Sequence, residues 1–260
     1  MIIVTGMHRS GTSFVCQLMT ALGIDFGDPQ LFYASDGWNT RGYFEVRPII
    51  DTNSGLITGL PRTAGRLTAF LSKLIYLSMP SRQRITRREA RYRSRMEELG
   101  TRFKAVKDPR FCLTLNSWVK TVDVERVVIC LREPRDTAQS LRKRERVPTS
   151  VAYRFWRYHM QSLLDVLPVR KSAFVQFDQL CGPNAVNELQ LLARFLGIDT
   201  SDVQLRHILQ ETFAPKLVHV AGTRSLPADA RVDTLWSQLL DLATIRESEV
   251  LDGRVVGQIR

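Results

Sequence analysis

The chain alternates between short, continuous apolar runs and longer stretches whose apolar residues recur at helical spacing. Short apolar runs bounded by polar turns are typical of strands that are buried on both faces of a sheet. Such runs predict strands at residues 2–4, 103–106, 126–131 and 173–177. Because helical patterns separate these strands, the sequence predicts an α/β fold with a central, mostly parallel β-sheet flanked by helices.

Apolar residues at intervals of three and four predict the helices between the strands. Their approximate spans are residues 14–22, 67–79, 113–122, 137–144, 150–167, 184–196, 203–209 and 235–245. Residues 49–60 mix apolar residues with Asp51, Asn53 and two glycines, and the pattern there predicts no element. From about residue 247 the chain is expected to be frayed.

Residues 81–99 are predicted to form a strongly basic helix. This segment carries seven arginines and three glutamates, with only a thin apolar edge. A charge run of this kind is usually a solvated helix face. Because the arginines fall all around the helix, contact of part of it with an anionic acceptor is the second interpretation.

The first predicted strand leads directly into a polar loop that contains glycine, residues 5–13. In such a strand–loop–helix turn the backbone N–H groups point towards a bound anion, and the helix N-terminus adds partial positive charge. Gly6, Gly11 and Ser13 match the phosphate-loop pattern G-x-x-x-x-G-K-[ST]. Its lysine position holds Thr12, and Arg9 inside the loop supplies the cation. The pattern indicates anion binding, although a turn of this shape also uses glycines for structural reasons alone.

Two more polar motifs follow predicted strands, at residues 107–110 (KDPR) and residues 132–140. In the second of these, Arg132 lies at the strand end and Ser140 about two turns along the next helix, so that both could bind one phosphate. In the alternative interpretation Asp136 simply caps that helix. The carboxyl ends of parallel strands meet at one edge of a sheet, where ligands of such folds bind. We therefore expect the three motifs to converge.

Composition favours an anionic partner and a reducing compartment. The 260 residues carry a formal net charge of +11, which a solvated basic surface, an acidic acceptor, a membrane surface or nucleic acid could explain. The four cysteines form no C-x-x-C pair, so we expect small buried residues rather than a metal site. The longest apolar stretch contains Lys73 and is too short for a bilayer, and the chain begins directly with a strand. These features predict a cytoplasmic protein without a signal peptide or transmembrane segment.

Two of the motifs resemble those of sulfotransferases that use 3'-phosphoadenosine 5'-phosphosulfate (PAPS). Arg9-Ser10-Gly11-Thr12 is similar, residue by residue, to the loop that cradles the 5'-phosphosulfate in that family. Arg132 and Ser140 match the spacing of the family's 3'-phosphate motif, in which a basic residue and an Asp lie between the two. Both motifs occur in the order and the strand–loop–helix setting that the family shows.

The resemblance implies a single sulfotransferase-like domain over residues 1–260, with a P-loop-like fold, PAPS as co-substrate and no metal. A strand, an acidic turn and a helix ending in Phe-Leu-Gly extend the resemblance to about residue 198. The Gly-rich C-terminal segment with which cytosolic members bind the 3'-phosphate is missing, and Arg224 is a candidate substitute. Residues 30–102 depart most from the family and are expected to bind the acceptor.

The implied reaction moves a sulfuryl group to an acceptor hydroxyl or amine by in-line displacement. Arg9 and the loop through Ser13 would bind the phosphosulfate, and Lys107 lies where cytosolic members place a lysine near the sulfuryl group. Those members have a catalytic histidine two positions later, where this chain has proline. The general base must therefore lie elsewhere.

Three side chains are candidates for the general base: Glu45, Asp108 and His8. Glu45 is preferred, because carbohydrate and tyrosylprotein sulfotransferases similarly use a glutamate downstream of the phosphosulfate loop. Asp108 could instead be held in a salt bridge by Arg110, and His8 could be an ordinary hydrogen-bonding residue of the loop.

Two other functional classes remain as alternatives. A small-molecule kinase that uses ATP and magnesium is opposed by the missing loop lysine and by the lack of a clear acidic magnesium ligand, for which Asp108 is the nearest candidate. A non-catalytic basic protein that binds nucleotides or nucleic acid would show steep salt dependence. It would not explain three motifs at strand ends, so nucleic acid is disfavoured. The acceptor could be a carbohydrate, a natural product, a lipid-linked glycan or a peptide tyrosine, and the oligomeric state is not specified.

Overall fold

A computed structural model describes residues 1–34, 42–166, 171–212 and 226–251. Its strands are β1 (Ile2–Thr5), β2 (Ala105–Lys107), β3 (Arg126–Leu131) and β4 (Ser172–Gln176). They form a parallel sheet in the order β2-β1-β3-β4. The predicted α/β fold with a parallel central sheet is confirmed, and each predicted strand is present within two residues of its expected bounds.

The sheet is buried on both faces because its strands are apolar at consecutive positions. Ile3 and Val127 face one hydrophobic core, whereas Val4 and Val128 face the other. This alternation follows from the two-residue repeat of a strand. The strand ends therefore remain as the accessible edge of the sheet.

Helices cover both faces of the sheet. In chain order they are α1 (Thr12–Ala21), α2 (Arg47–Thr58), α3 (Arg66–Leu77), α4 (Arg82–Thr86), α5 (Glu89–Arg102), α6 (Phe111–Val119), α7 (Pro134–Glu145), α8 (Thr149–Leu164), α9 (Phe177–Leu180), α10 (Ala185–Leu196), α11 (Asp202–Thr212) and α12 (Ala230–Leu251). α1, α10 and α11 pack on one face, and α2, α5, α6, α8 and most of α12 on the other. α12 continues to Leu251, so the expected fraying from residue 247 is wrong for the residues up to that point.

The basic segment predicted as one helix over residues 81–99 forms two, α4 and α5. Between them, the N–H of Arg88 donates to the carbonyl of Ile85, three residues earlier, at 2.9 Å. The Arg88 guanidinium also donates to the carbonyls of Leu56 and Ile57, at 3.1 and 2.8 Å. Arg88 thereby binds the last turn of α2 and lies at the break between α4 and α5. The sequence pattern did not reveal this break.

α2 lies where the sequence pattern predicted no element. Its buried side includes polar residues, among them Thr52, Asn53 and Ser54, so the helix shows no simple apolar stripe. Asn53 accepts hydrogen bonds from Thr114 and Trp118, both at 2.8 Å. Polar partners inside the fold thus replace the apolar contacts from which a helix is normally recognised.

α3 is a helix as predicted, but its apolar stripe faces outward. Leu67, Phe70, Leu71 and Leu74 are 71%, 57%, 41% and 50% exposed. The buried positions of the helix include Tyr76, whose side chain contacts the functional site described below.

The four cysteines are free thiols, and three of them are buried. Among the described residues, no helix combines the length and the apolar composition that crossing a membrane requires.

Candidate functional site

The loop between β1 and α1 has a backbone that depends on two glycines. Gly6 and Gly11 have φ of 148° and 86°, and Arg9 between them also has a positive φ of 74°. A Cβ on Gly6 would lie 2.4 Å from the carbonyl oxygen of Cys130, and a Cβ on Gly11 would lie 2.1 Å from Cδ2 of Phe177. The loop is therefore held tightly between the end of β3 and the first residue of α9.

Two buried hydroxyls, one in this loop and one at the start of α7, suit an anion. Ser10 is 2% exposed, and its Oγ has no hydrogen-bond partner among the described residues. The same is true of Thr137 Oγ1 in the first turn of α7. α1 begins at Thr12, and its N-cap residue is Gly11, which has no side chain to cap the helix. Buried donors that lack protein acceptors, next to the positive end of a helix, fit the oxygens of a phosphate or sulfate group.

The structure brings the loop into direct contact with the motif that follows β3. Arg9 Nε donates to Ser140 Oγ at 2.9 Å, and Arg132 Nη1 donates to the carbonyl oxygen of Arg9 at 3.2 Å. The Arg132 guanidinium lies 4.7 Å from the centroid of the Phe177 ring, the same ring that packs against Gly11. The expected convergence of these two motifs at the sheet edge is therefore observed.

Other residues of the second motif have structural partners. The helix cap is Glu133 rather than Asp136, because a Glu133 carboxylate oxygen accepts from the Asp136 N–H at 3.0 Å. Arg135 forms ion pairs with Glu133 and with Asp233 of α12, at 3.2 and 3.0 Å. Arg135 thus ties α7 to α12.

Lys107 connects the third motif to the first loop. Its Nζ donates to Glu45 Oε1 at 2.8 Å, to the carbonyl oxygen of Tyr43 at 2.9 Å and to Ser13 Oγ at 3.3 Å. Lys107 is 2% exposed, and these three contacts match the three donors of an ammonium group. It places the Glu45 carboxylate next to the start of α1.

Glu45 is a buried carboxylate between two cations. Its Oε2 lies 3.6 Å from Arg110 Nη1, and Lys107 contacts its Oε1. Burial alone would raise the pKa of Glu45, but the charges of Lys107 and Arg110 outweigh burial and hold that pKa below its usual value. The side chain is therefore ionised at neutral pH and can accept a proton only in a changed environment.

Asp108 is fully buried and its oxygens are occupied. Oδ1 accepts from the N–H and the Nη1 of Arg110 at 2.9 and 2.8 Å, and Oδ2 accepts from Asn53 Nδ2 at 3.0 Å. Burial raises the pKa of Asp108 despite the neighbouring Arg110. The carboxylate has no exposed surface from which to reach a substrate.

His8 begins a buried chain of hydrogen bonds that the sequence pattern did not reveal. His8 Nε2 and Tyr76 OH are 3.0 Å apart, Tyr76 OH and His159 Nε2 are 2.5 Å apart, and His159 Nδ1 lies 2.8 Å from the carbonyl oxygen of Phe155. Burial lowers the pKa of His159 to about 4, and burial with the Arg110 charge lowers the pKa of His8 well below its usual value.

The hydrogen positions in this chain follow from donor and acceptor chemistry. A carbonyl only accepts, so His159 Nδ1 carries the hydrogen, and neutral His159 accepts from Tyr76 at Nε2. Tyr76 has a single hydrogen, so His8 must donate to it from Nε2. The Nδ1 of neutral His8 then carries the lone pair.

Glu45 and His8 line the same cavity, of about 110 Å³. Its walls come from the loops after β1, β2 and α2, from the loop before α2, and from α2, α3, α7 and α8. They include the aromatic side chains of Tyr33, Tyr43, Tyr76 and Phe155. Much of the lining belongs to the segment 30–102 that the sequence assigned to acceptor binding, while α7 and α8 were not expected to contribute. Within the described part of the chain, no cluster of three metal-ligating side chains is found. Arg224 lies outside the described residues.

The fold is similar to that of a solved structure, the sulfotransferase domain from the Synechococcus PCC 7002 olefin synthase. The two chains share 14% sequence identity with a TM-score of 0.51, and the similarity covers 92% of this chain and 94% of that domain. No protein-family model matches the sequence, and no curated protein has a significant match to it. The similarity concerns the fold, and by that measure the chain has a sulfotransferase fold.

Proposed function

We propose that this protein is a sulfotransferase that moves a sulfuryl group from PAPS to a hydroxyl or amine of an acceptor. The observation that carries the proposal is the contact of Arg9 with Ser140 and of Arg132 with the backbone of Arg9. It joins the loop that resembles a 5'-phosphosulfate site to the pair that resembles a 3'-phosphate site. A nucleotide with phosphates at both ends of its ribose would engage both.

In this proposal the first loop holds the 5' end of the donor. The backbone N–H groups at the start of α1 and the hydroxyls of Ser10, Thr12 and Ser13 bind its anionic oxygens, and Arg9 balances charge on the leaving phosphate. Arg132 and Ser140 bind the 3'-phosphate. The orphaned hydroxyl of Ser10 supports this arrangement, because an anion would supply its missing partner.

With a hydroxyl acceptor, the chemical step forms a bond between the acceptor oxygen and sulfur while the bond from sulfur to the phosphate oxygen breaks. The products are a sulfate ester and 3'-phosphoadenosine 5'-phosphate (PAP), and the acceptor proton passes to a base. We assign Glu45 as that base, because it is ionised and lines the cavity that can admit an acceptor. Lys107, bonded to Glu45, stabilises charge on the transferring group. Neutral His8 is the second candidate, whereas Asp108 acts by positioning Arg110.

Calorimetric titration with PAP, AMP and ATP tests the donor assignment. Wild-type protein should prefer PAP, and Arg132→Ala should lose about 10- to 100-fold in PAP affinity, because it removes charge-assisted hydrogen bonds. Arg135→Ala is the matched control, since Arg135 belongs to the same motif but pairs with Asp233. Equal binding of PAP and AMP, or magnesium-dependent turnover of ATP, would contradict the proposal.

A further inference from the structure

The cavity beside Glu45 is lined by more cations than carboxylates. Its basic side chains are Arg62, Lys73, Arg110 and Arg144, and its carboxylates are Glu45 and Glu145. Positive charge that is withdrawn from water is unfavourable unless nearby negative charge compensates it. The net charge of the cavity therefore depends on how many cations each of its carboxylates already pairs with.

The carboxylates of the cavity each serve two cations. Glu145 pairs with Lys73 at 2.5 Å and lies 3.4 Å from Arg144 Nε. Glu45 is shared by Lys107 and Arg110, and Arg110 has a second and closer partner in Asp108 at 2.8 Å. No carboxylate among the described lining residues is left over for a further cation.

Arg62 is the cation that this arrangement does not satisfy. Its backbone N–H donates to Asp51 Oδ1 at 2.7 Å, which fixes the residue in place. None of the described residues provides a hydrogen-bond acceptor or an ion pair for its guanidinium. Burial lowers the pKa of Arg62, and the charge of nearby Arg110 lowers it further, whereas Tyr33, Glu45 and Glu145 act more weakly in the opposite direction.

We infer that the acceptor is a hydroxy acid, whose carboxylate binds Arg62 while its hydroxyl lies at Glu45. A guanidinium presents paired donors that match the two oxygens of a carboxylate. Arg144 also lines the cavity, and its positive charge acts on both Glu45 and His8. This inference rests on the proposed function, because it assumes that Glu45 takes the proton of an acceptor bound in this cavity.

The test compares hydroxy acids with their neutral amides on PAP-loaded protein. The probes are 4-hydroxybenzoate with 4-hydroxybenzamide and 3-hydroxybutyrate with 3-hydroxybutyramide, so that each pair differs in charge at nearly constant size. Calorimetry or ligand-observed NMR should show at least one acid binding about 10-fold or more tightly than its amide. Arg62→Gln should reduce that ratio to within about twofold, and Arg62→Lys should retain part of it.

Arg66→Gln is the matched control, because Arg66 is an exposed arginine of the first turn of α3 and does not line the cavity. It should leave the acid-to-amide ratio unchanged. Three results would overturn this inference alone, provided that the wild type binds PAP. The protein could bind acid and amide equally, it could bind neither, or its preference for the acid could survive in Arg62→Gln. A selective loss of PAPS over PAP affinity in Arg62→Gln would also overturn it, since Arg62 would then serve the donor. Failure of PAP to bind the wild type would overturn the proposed function and this inference with it.

Discussion

At the scale of single residues, Glu45 combines two properties that a base in the proposed reaction needs. It is ionised because Lys107 and Arg110 stabilise its negative charge, and it faces a cavity rather than the core. Glu45→Gln keeps a hydrogen-bond acceptor for Lys107 but cannot take a proton. We expect transfer of labelled sulfate from PAPS to the best acceptor of a panel to fall by about 100-fold or more, with PAP affinity unchanged. Near-normal turnover would move the role to His8.

His159 makes a separate prediction about stability and pH. In the folded state its pKa is about 4, against an ordinary value of 6.5. Between these two pH values His159 is protonated in the unfolded chain but neutral in the folded protein. Stability therefore falls as the pH drops from about 6.5 to about 4. The free energy of unfolding should lose roughly 3 kcal/mol over this window from His159 alone.

His159→Gln should remove this part of the pH dependence. Urea denaturation at pH 7 and pH 4.5 measures it as the difference between wild type and variant. His207→Gln, at an exposed position of α11, deletes a histidine without touching the buried chain of hydrogen bonds. An equal loss of stability on acidification in wild type and His159→Gln would show that His159 is not held neutral.

At the scale of elements, the loop from β1 to α1 depends on its contact with α9. Gly11→Ala would impose a positive φ on a residue with a side chain and would also bring a Cβ onto the Phe177 ring. We expect PAP affinity to fall by about 10-fold or more and the folded state to lose about 1–3 kcal/mol. Gly23→Ala separates the two effects, because Gly23 has φ of 92° but no atom within 4 Å of the place that a Cβ would occupy. It should reduce stability while leaving PAP affinity intact, and a Gly11→Ala protein that binds PAP normally would refute the idea.

The elements differ in how well their sequence reveals them. β3 is apolar at consecutive positions and was predicted with its observed bounds, because a strand buried on both faces leaves no other pattern. α2 was missed, since Asn53 and its neighbours are buried with polar partners and hide the helical repeat. The candidate site likewise has contacts that the sequence predicts and contacts that it does not. Arg9 and Arg132 could be predicted to meet because strand ends share an edge, whereas the link from His8 through Tyr76 to His159 joins distant segments and leaves no trace in local spacing.

At the scale of the whole molecule, the sequence predicted the apolar stripe of α3 but not that this stripe faces outward. An amphipathic pattern shows that one face of a helix is apolar, but the neighbours of that face depend on the rest of the fold. Here the other side of the helix contributes Lys73, Tyr76 and Leu77 to the cavity. The side of α3 that carries Lys73 and Tyr76 therefore faces the cavity, and the stripe of Leu67, Phe70, Leu71 and Leu74 is left at the surface.

This orientation predicts how the stripe responds to substitution. Phe70→Ser combined with Leu74→Ser should change the free energy of unfolding by less than about 1 kcal/mol, because both side chains are already half or more exposed. Leu56→Ser, at a fully buried position of α2, is the contrasting variant and should lose several kcal/mol, roughly 2–5. Since contiguous exposed apolar side chains promote association, the double variant should also self-associate less than the wild type in sedimentation at high concentration. If the double variant were destabilised as strongly as Leu56→Ser, the stripe would have to be packed inside the folded molecule, and the orientation of α3 described here would be wrong.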